Sequence, residues 1–171
     1  MNISTRSALA LALSALVLTL PACKKARDAA VDAALERATG VKVDRDGNTV
    51  TVQTDEGQAR IASSEDGDNL ALPASFPKDI QLPAQYKLSS VMELGGAQVL
   101  SMTTQEAMGS LFNSLSGGME RSGWTRELSA QTDDGGTLGF SKGDHHVVYY
   151  IAKNENGSTD LNVNATTTTQ Q

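Results

Sequence analysis

The feature that most constrains this chain is a single clear helical stripe set among segments that alternate with period two. Met108, Leu111, Phe112, Leu115 and Met119 stand at i, i+3, i+4, i+7 and i+11, which places them on one face of a helix. Thr103 with Glu106 three residues later fits a capping box at its start. Gly117-Gly118 weakens the last turn, by about 1 kcal/mol per glycine against alanine, so the helix is expected to kink there or to end near Ser116. Gly123 terminates it, and Trp124 enters the next strand. A lone helix has only a sheet against which to bury such a stripe.

The strands are read from alternation and turn residues. Val41-Lys42-Val43, Thr49 to Thr54 and Gln58 to Ala62 alternate around turns at Asp46-Gly47-Asn48 and Asp55-Glu56-Gly57, a small β-meander over 41–62. Residues 63–75 (SSEDGDNLALPAS) are an acidic linker without periodicity. FPKDIQLP at 76–83 is extended, because two prolines forbid helix. Tyr86 to Leu94 and Ala97 to Met102 form a hairpin about Gly95-Gly96. After the helix come Thr125 to Ala130, Thr137 to Lys142 beyond an Asp133-Asp134-Gly135-Gly136 turn, and His145 to Lys153, which is β-branched and aromatic. Ser158 to Ala165 also alternates. The expected fold is α+β. A two-layer sandwich over 76–165, written β-β-α-β-β-β, follows the meander and a short N-terminal helix. The tail 166–171 has no apolar residue and is expected to be disordered.

That N-terminal helix spans Lys24 to Thr39. It is Ala-rich, closed by Gly40, and carries a thin stripe of Ala30, Val31, Ala34, Leu35 and Ala38. Alanine favours helix but buries little area. The segment reads as a spacer, with a partner-binding helix as the alternative.

The first residues read as an address. Met1 to Ser7 carry Arg6, and residues 8–20 (ALALALSALVLTL) are uncharged and mostly apolar. That run is shorter than the roughly 20 residues of a membrane span and matches a signal-peptide core. Leu20-Pro21-Ala22-Cys23 follows, with the only cysteine of the chain. Here the chain resembles bacterial lipoprotein precursors. The resemblance implies a signal peptide over 1–22, diacylation of Cys23 and cleavage before it. It also implies a cell-envelope location facing the periplasm, with Lys24, which is not Asp, pointing to the outer membrane. The plain alternative is a secretory signal cut after Ala22 that leaves a free thiol. FPKDIQLP at 76–83 and Gly123-Trp124 carry a second resemblance, over residues 40–165, to small envelope lipoprotein domains without an assigned activity. The strand order is also similar to the helix-grip domains of outer-membrane assembly lipoproteins, as fold analogy alone.

Composition narrows the function. Fourteen Lys and Arg against twenty Asp and Glu give a net charge of −6, which excludes a strongly basic nucleic-acid binder. One cysteine excludes an internal disulfide framework and a cysteine-based zinc site. His145-His146 are adjacent on a strand and project to opposite faces, so they do not converge on one ion. One of them with Asp144, Asp133 or Asp134 makes at most a weak surface site. Asp133-Asp134 precede glycines, where turn geometry favours Asp. Asp66, Asp68 and Asn69 lack the spacing and closing Glu of a calcium loop. Ser110, Ser114 and Ser116 have no nucleophile elbow around them. No cofactor or metal site is expected. The concentrated aromatics are Trp124, Phe140, Tyr149 and Tyr150. Of these, Trp124, Tyr149 and Tyr150 are the candidate contact residues, with Tyr149 and Tyr150 on opposite faces of their strand. The expected function is a lipid-anchored envelope accessory protein, held at the membrane through Cys23, that contacts an unknown envelope protein and performs no catalysis. The alternative is a small-ligand or ion-binding module.

Overall fold

The computed structural model describes residues 42–167 apart from 47, 55–56 and 65–68. The expected signal peptide, Cys23, the helix over 24–39 and residues 168–171 lie outside the described residues.

Nine strands and one helix follow in chain order. They are β1 (Lys42–Asp46), β2 (Thr49–Thr54), β3 (Gly57–Ser63), β4 (Lys87–Leu94), β5 (Ala97–Thr104), α1 (Met108–Arg121), β6 (Thr125–Gln131), β7 (Gly135–Lys142), β8 (His145–Lys153) and β9 (Thr159–Thr167). All nine form one antiparallel sheet in the order β1-β2-β3-β4-β5-β9-β8-β7-β6.

This corrects the expected α+β sandwich. The meander is not a separate piece ahead of a smaller sheet. Its last strand pairs with β4 from Ala59 opposite Leu94 to Ser63 opposite Ser90. The edge of β4 would otherwise present unpaired backbone groups, and β3 satisfies them. Four strands follow the helix, not three, because Ser158 and the residues after it supply β9. That strand inserts between β5 and β8 and runs on to Thr167, so Thr166 and Thr167 belong to the sheet. The linker is also partly tied down. Leu88 N–H donates to Asn69 Oδ1 at 2.7 Å, and Leu70 N–H donates to the Leu88 carbonyl at 2.9 Å.

The helix lies on the inner face of the sheet, against β6, β7 and β8. Leu111, Phe112, Leu115 and Met119 bury themselves against Leu138, Phe140, Tyr149 and Ile151. The core extends under β4, β5 and β9 as Leu88, Val91, Leu100, Met102, Leu161 and Val163, joined by Phe76 and Ile80 from the proline-flanked segment. That segment is fastened to the end of α1. Gln81 N–H donates to Met119 Sδ at 3.3 Å, and Gln81 Nε2 donates to Ser122 Oγ at 3.3 Å.

Two local expectations change. Thr103 and Glu106 form no capping box. Ala107 stands at the N-cap with no side-chain hydrogen bond. Thr104 Oγ1 accepts from Glu106 N–H at 3.2 Å instead. Gly117-Gly118 does not end the helix, which continues to Arg121. Gly135-Gly136 open β7, and the turn is carried by Thr132-Asp133-Asp134, with Thr132 N–H donating to the Gly135 carbonyl at 2.8 Å. Gly136 is required where it stands. A Cβ there would sit 2.7 Å from the Phe112 ring.

Candidate functional site

Register assigns each candidate residue to a face. Tyr149 lies opposite Val163 and Leu138 on the inner face, with the parity of Val147 and Ile151. It is fully buried. Its hydroxyl lies 3.0 Å from the Gln81 carbonyl oxygen and 3.0 Å from Met119 Sδ. Its ring meets Phe140 edge-on at 6.0 Å. Burial pushes the phenol pKa far up, so the group stays protonated. Trp124 is also buried, at 4% exposure. Both therefore leave the set of contact anchors, because each is part of the core. Tyr150 remains. It points to the outer face and is 48% exposed.

The outer face is where the structure adds most. Tyr150 stands between Thr137 and Asn162. In the next row Leu128 lies over Gly139, followed by Val148 and Asn164. A Cβ on Gly139 would come within 3.0 Å of Leu128 Cβ, so glycine lets Leu128 lie flat. Leu128 is 47% exposed. The row continues across the sheet through Val99, Met92, Ile61 and Val50. No helix among the described residues packs on this face. Beside it runs β6, an edge strand exposed at every one of its residues.

The second feature is a cleft of about 350 Å³ lined by Pro77, Asp79, Trp124, Lys142, Gly143 and His145. Lys142 Nζ donates to Asp79 Oδ2 at 2.8 Å and to the Ser122 carbonyl at 3.0 Å. It sits 5.9 Å from the centre of the Trp124 ring, within cation–π range. The Lys142 bond is the largest cause that holds the Asp79 carboxyl below its ordinary range. Partial burial opposes it, and the Trp124 side chain adds the smallest share. The Trp124 indole N–H is buried with no hydrogen-bond partner. Three chain segments far apart in sequence meet here, which is why sequence reasoning missed the grouping.

The remaining candidates are placed as follows. His145 and His146 are both exposed and face opposite sides. His145 Nδ1 lies 3.0 Å from Thr167 Oγ1. Asp133, Asp134 and Asp144 sit exposed in turns. Among the described residues no three His, Cys, Asp or Glu converge as a metal site, and Asp66 and Asp68 lie outside them. Ser116 Oγ accepts from Arg126 Nη1 at 2.9 Å, while Ser110 and Ser114 donate to Glu106. None of the three is set beside a histidine. No helix among the described residues is long and apolar enough to cross a membrane.

No protein-family model matches the chain, and no curated protein or solved structure matches it.

Proposed function

We propose that this protein is a lipid-anchored accessory protein of the bacterial cell envelope. Cys23 carries the lipid, Lys24 favours the outer membrane, and the folded domain faces the periplasm. It acts by contact with another envelope protein and performs no chemistry of its own. The observation that supports this is the patch of Tyr150, Leu128 and Val148. It is uncharged, lies on a sheet face that no described helix covers, and adjoins a fully exposed edge strand. Exposed aromatic and aliphatic groups grouped in this way mark interaction surfaces. Each buried CH₂ of an anchor contributes about 0.8 kcal/mol, so two or three chains hold such a protein permanently.

Two experiments test the reading. Cys23→Ser should abolish palmitate labelling and release the protein from the membrane fraction. Unchanged membrane association overturns the anchor. In-cell crosslinking of tagged, lipidated protein should then capture one near-stoichiometric envelope partner. Tyr150→Ala should weaken that complex by about 2 kcal/mol, roughly 30-fold. A clean monomer with no partner overturns the contact reading.

A second reading rests on the cleft at Trp124. A buried indole N–H without a partner beside an open hollow is a ready donor for a small molecule with an acceptor oxygen. A co-purifying small molecule that quenches Trp124 fluorescence, and is lost in Lys142→Met, would favour it.

A further inference from the structure

The meander inverts the pattern of the rest of the sheet. On β4, β5, β9 and β8 the most apolar side chains face inward, toward the core. On β1, β2 and β3 the inner face carries Lys42, Asp44, Asp46, Thr51 and Arg60. The apolar residues there point outward. Val50 and Val52 stand opposite Ile61 and Ala59, which in turn stand opposite Met92 and Leu94. Met92 is 40% exposed and Leu94 is 50% exposed. An uncharged outer patch backed by a charged inner face has the composition of a surface that something covers.

We propose that residues 24–39 of the same chain cover it, lying as a helix against the outer face of β2–β4. Only Gly40 and Val41 separate this segment from β1, a normal length for a connection between a helix and a strand. Such a connection leaves a choice of two faces. The charges on the inner face of the meander decide it in favour of the outer one. Dimensions agree as well. A helix over 24–39 would run about 24 Å, the length of a strand of seven residues, and its roughly 10 Å width spans two to three strands. Running back from β1, the segment brings Leu35 to the row of Val52, Ala59 and Leu94. One turn earlier, Val31 reaches the row of Val50, Ile61 and Met92. The rise between them, about 6 Å, matches the roughly 7 Å between those rows. The alanines of the stripe allow close approach to the sheet. Each surface lacks a partner that the other supplies, since an Ala-rich helix is marginal alone.

This goes beyond the contact reading and does not depend on the lipid. It divides the outer face in two: the chain's own helix takes β2–β4, and the Tyr150 and Leu128 half stays open for a partner.

The test uses the chain from residue 23 with Cys23→Ser, which removes the only native thiol. Two pairs are then introduced separately, L35C with L94C and V31C with M92C. Each is oxidised, and in parallel treated with a short bis-maleimide. The expected result is an intrachain link in both, at a yield independent of protein concentration, with a urea transition like that of the parent. The pair L35C with T51C, which would have to reach the inner face, should not link. Links between chains would overturn the proposal and assign the patch to a second copy. Absence of any link in both outward pairs would overturn it and leave the patch to a foreign partner. Neither result bears on Cys23 acylation or on the Tyr150 contact, so the readings fail separately.

Discussion

Tyr149 shows how one side chain can be decided by parity alone. Adjacent positions on β8 differ by a face, and the one that shares its side with Val147 and Ile151 enters the core. The sequence made the opposition of Tyr149 and Tyr150 legible, because strand geometry requires it. It did not say which residue goes inward, because that depends on the register with β7 and β9. Tyr149→Phe removes a hydroxyl that satisfies the Gln81 carbonyl and touches Met119 sulfur. It should cost about 1 to 2 kcal/mol, read as a lower urea midpoint with unchanged slope. Asp79 gives a pH prediction. Its folded pKa is depressed, chiefly by Lys142. Its contribution is therefore present above the unfolded carboxylate value near about 3.9 and is lost as pH falls through the folded value. Both side chains are over 40% exposed, so the pair contributes no more than about 1 kcal/mol. Asp79→Asn should be less stable than the parent at neutral pH and converge with it below about pH 3. A constant gap across urea midpoints at pH 7, 4 and 3 would contradict the assignment.

At the level of the element, α1 was legible through its stripe, and its ends were not. The five apolar positions read from the sequence fall on the buried face. The boundary failed where a neighbour overrode propensity. Gly118 is buried beneath Gln81, and an added Cβ there would come within 2.7 Å of Gln81 Cγ. The close approach of the proline-flanked segment thus explains a glycine that intrinsic preference alone would use to end the helix. Gly117 differs. A Cβ there would meet only the flexible end of Arg121, at 3.1 Å. The two substitutions should therefore have opposite signs. Gly117→Ala should stabilise by up to about 1 kcal/mol, and Gly118→Ala should destabilise by about 1 to 3 kcal/mol through overpacking. Thermal melts of the two single variants check this directly. Strands were legible as alternation plus turns. Gly135-Gly136 misled as a turn, because the same residue type also serves where the Phe112 ring needs room.

Across the whole molecule, the hairpins were local and therefore readable, whereas the joins between them were not. Nothing in the spacing of β3 and β4, separated by the acidic linker, announces that Ile61 lies opposite Met92. The pairing of β5 with β9 is more distant still, Leu100 standing opposite Val163. The Trp124 cleft and the outer patch both depend on such distant pairings, so candidate chemistry remained scattered in the sequence. The same topology predicts graded protection. Amides of β5, β9 and β8 lie in the middle of the sheet and should exchange slowest with deuterium, while those of the edge strands β1 and β6 exchange first. Uniform protection across the sheet would contradict this order. The placement of β9 also bears on how the protein is made. Strands β1 to β5 form one run of neighbours and β6 to β8 another, and the strand that unites them comes after both in the chain. During synthesis or export, the two halves wait with their inner edges at β5 and β8 unzipped. A chain threaded across a membrane from its N-terminus would thus close its sheet only once β9 had emerged. Until then it would need a chaperone to shield those edges.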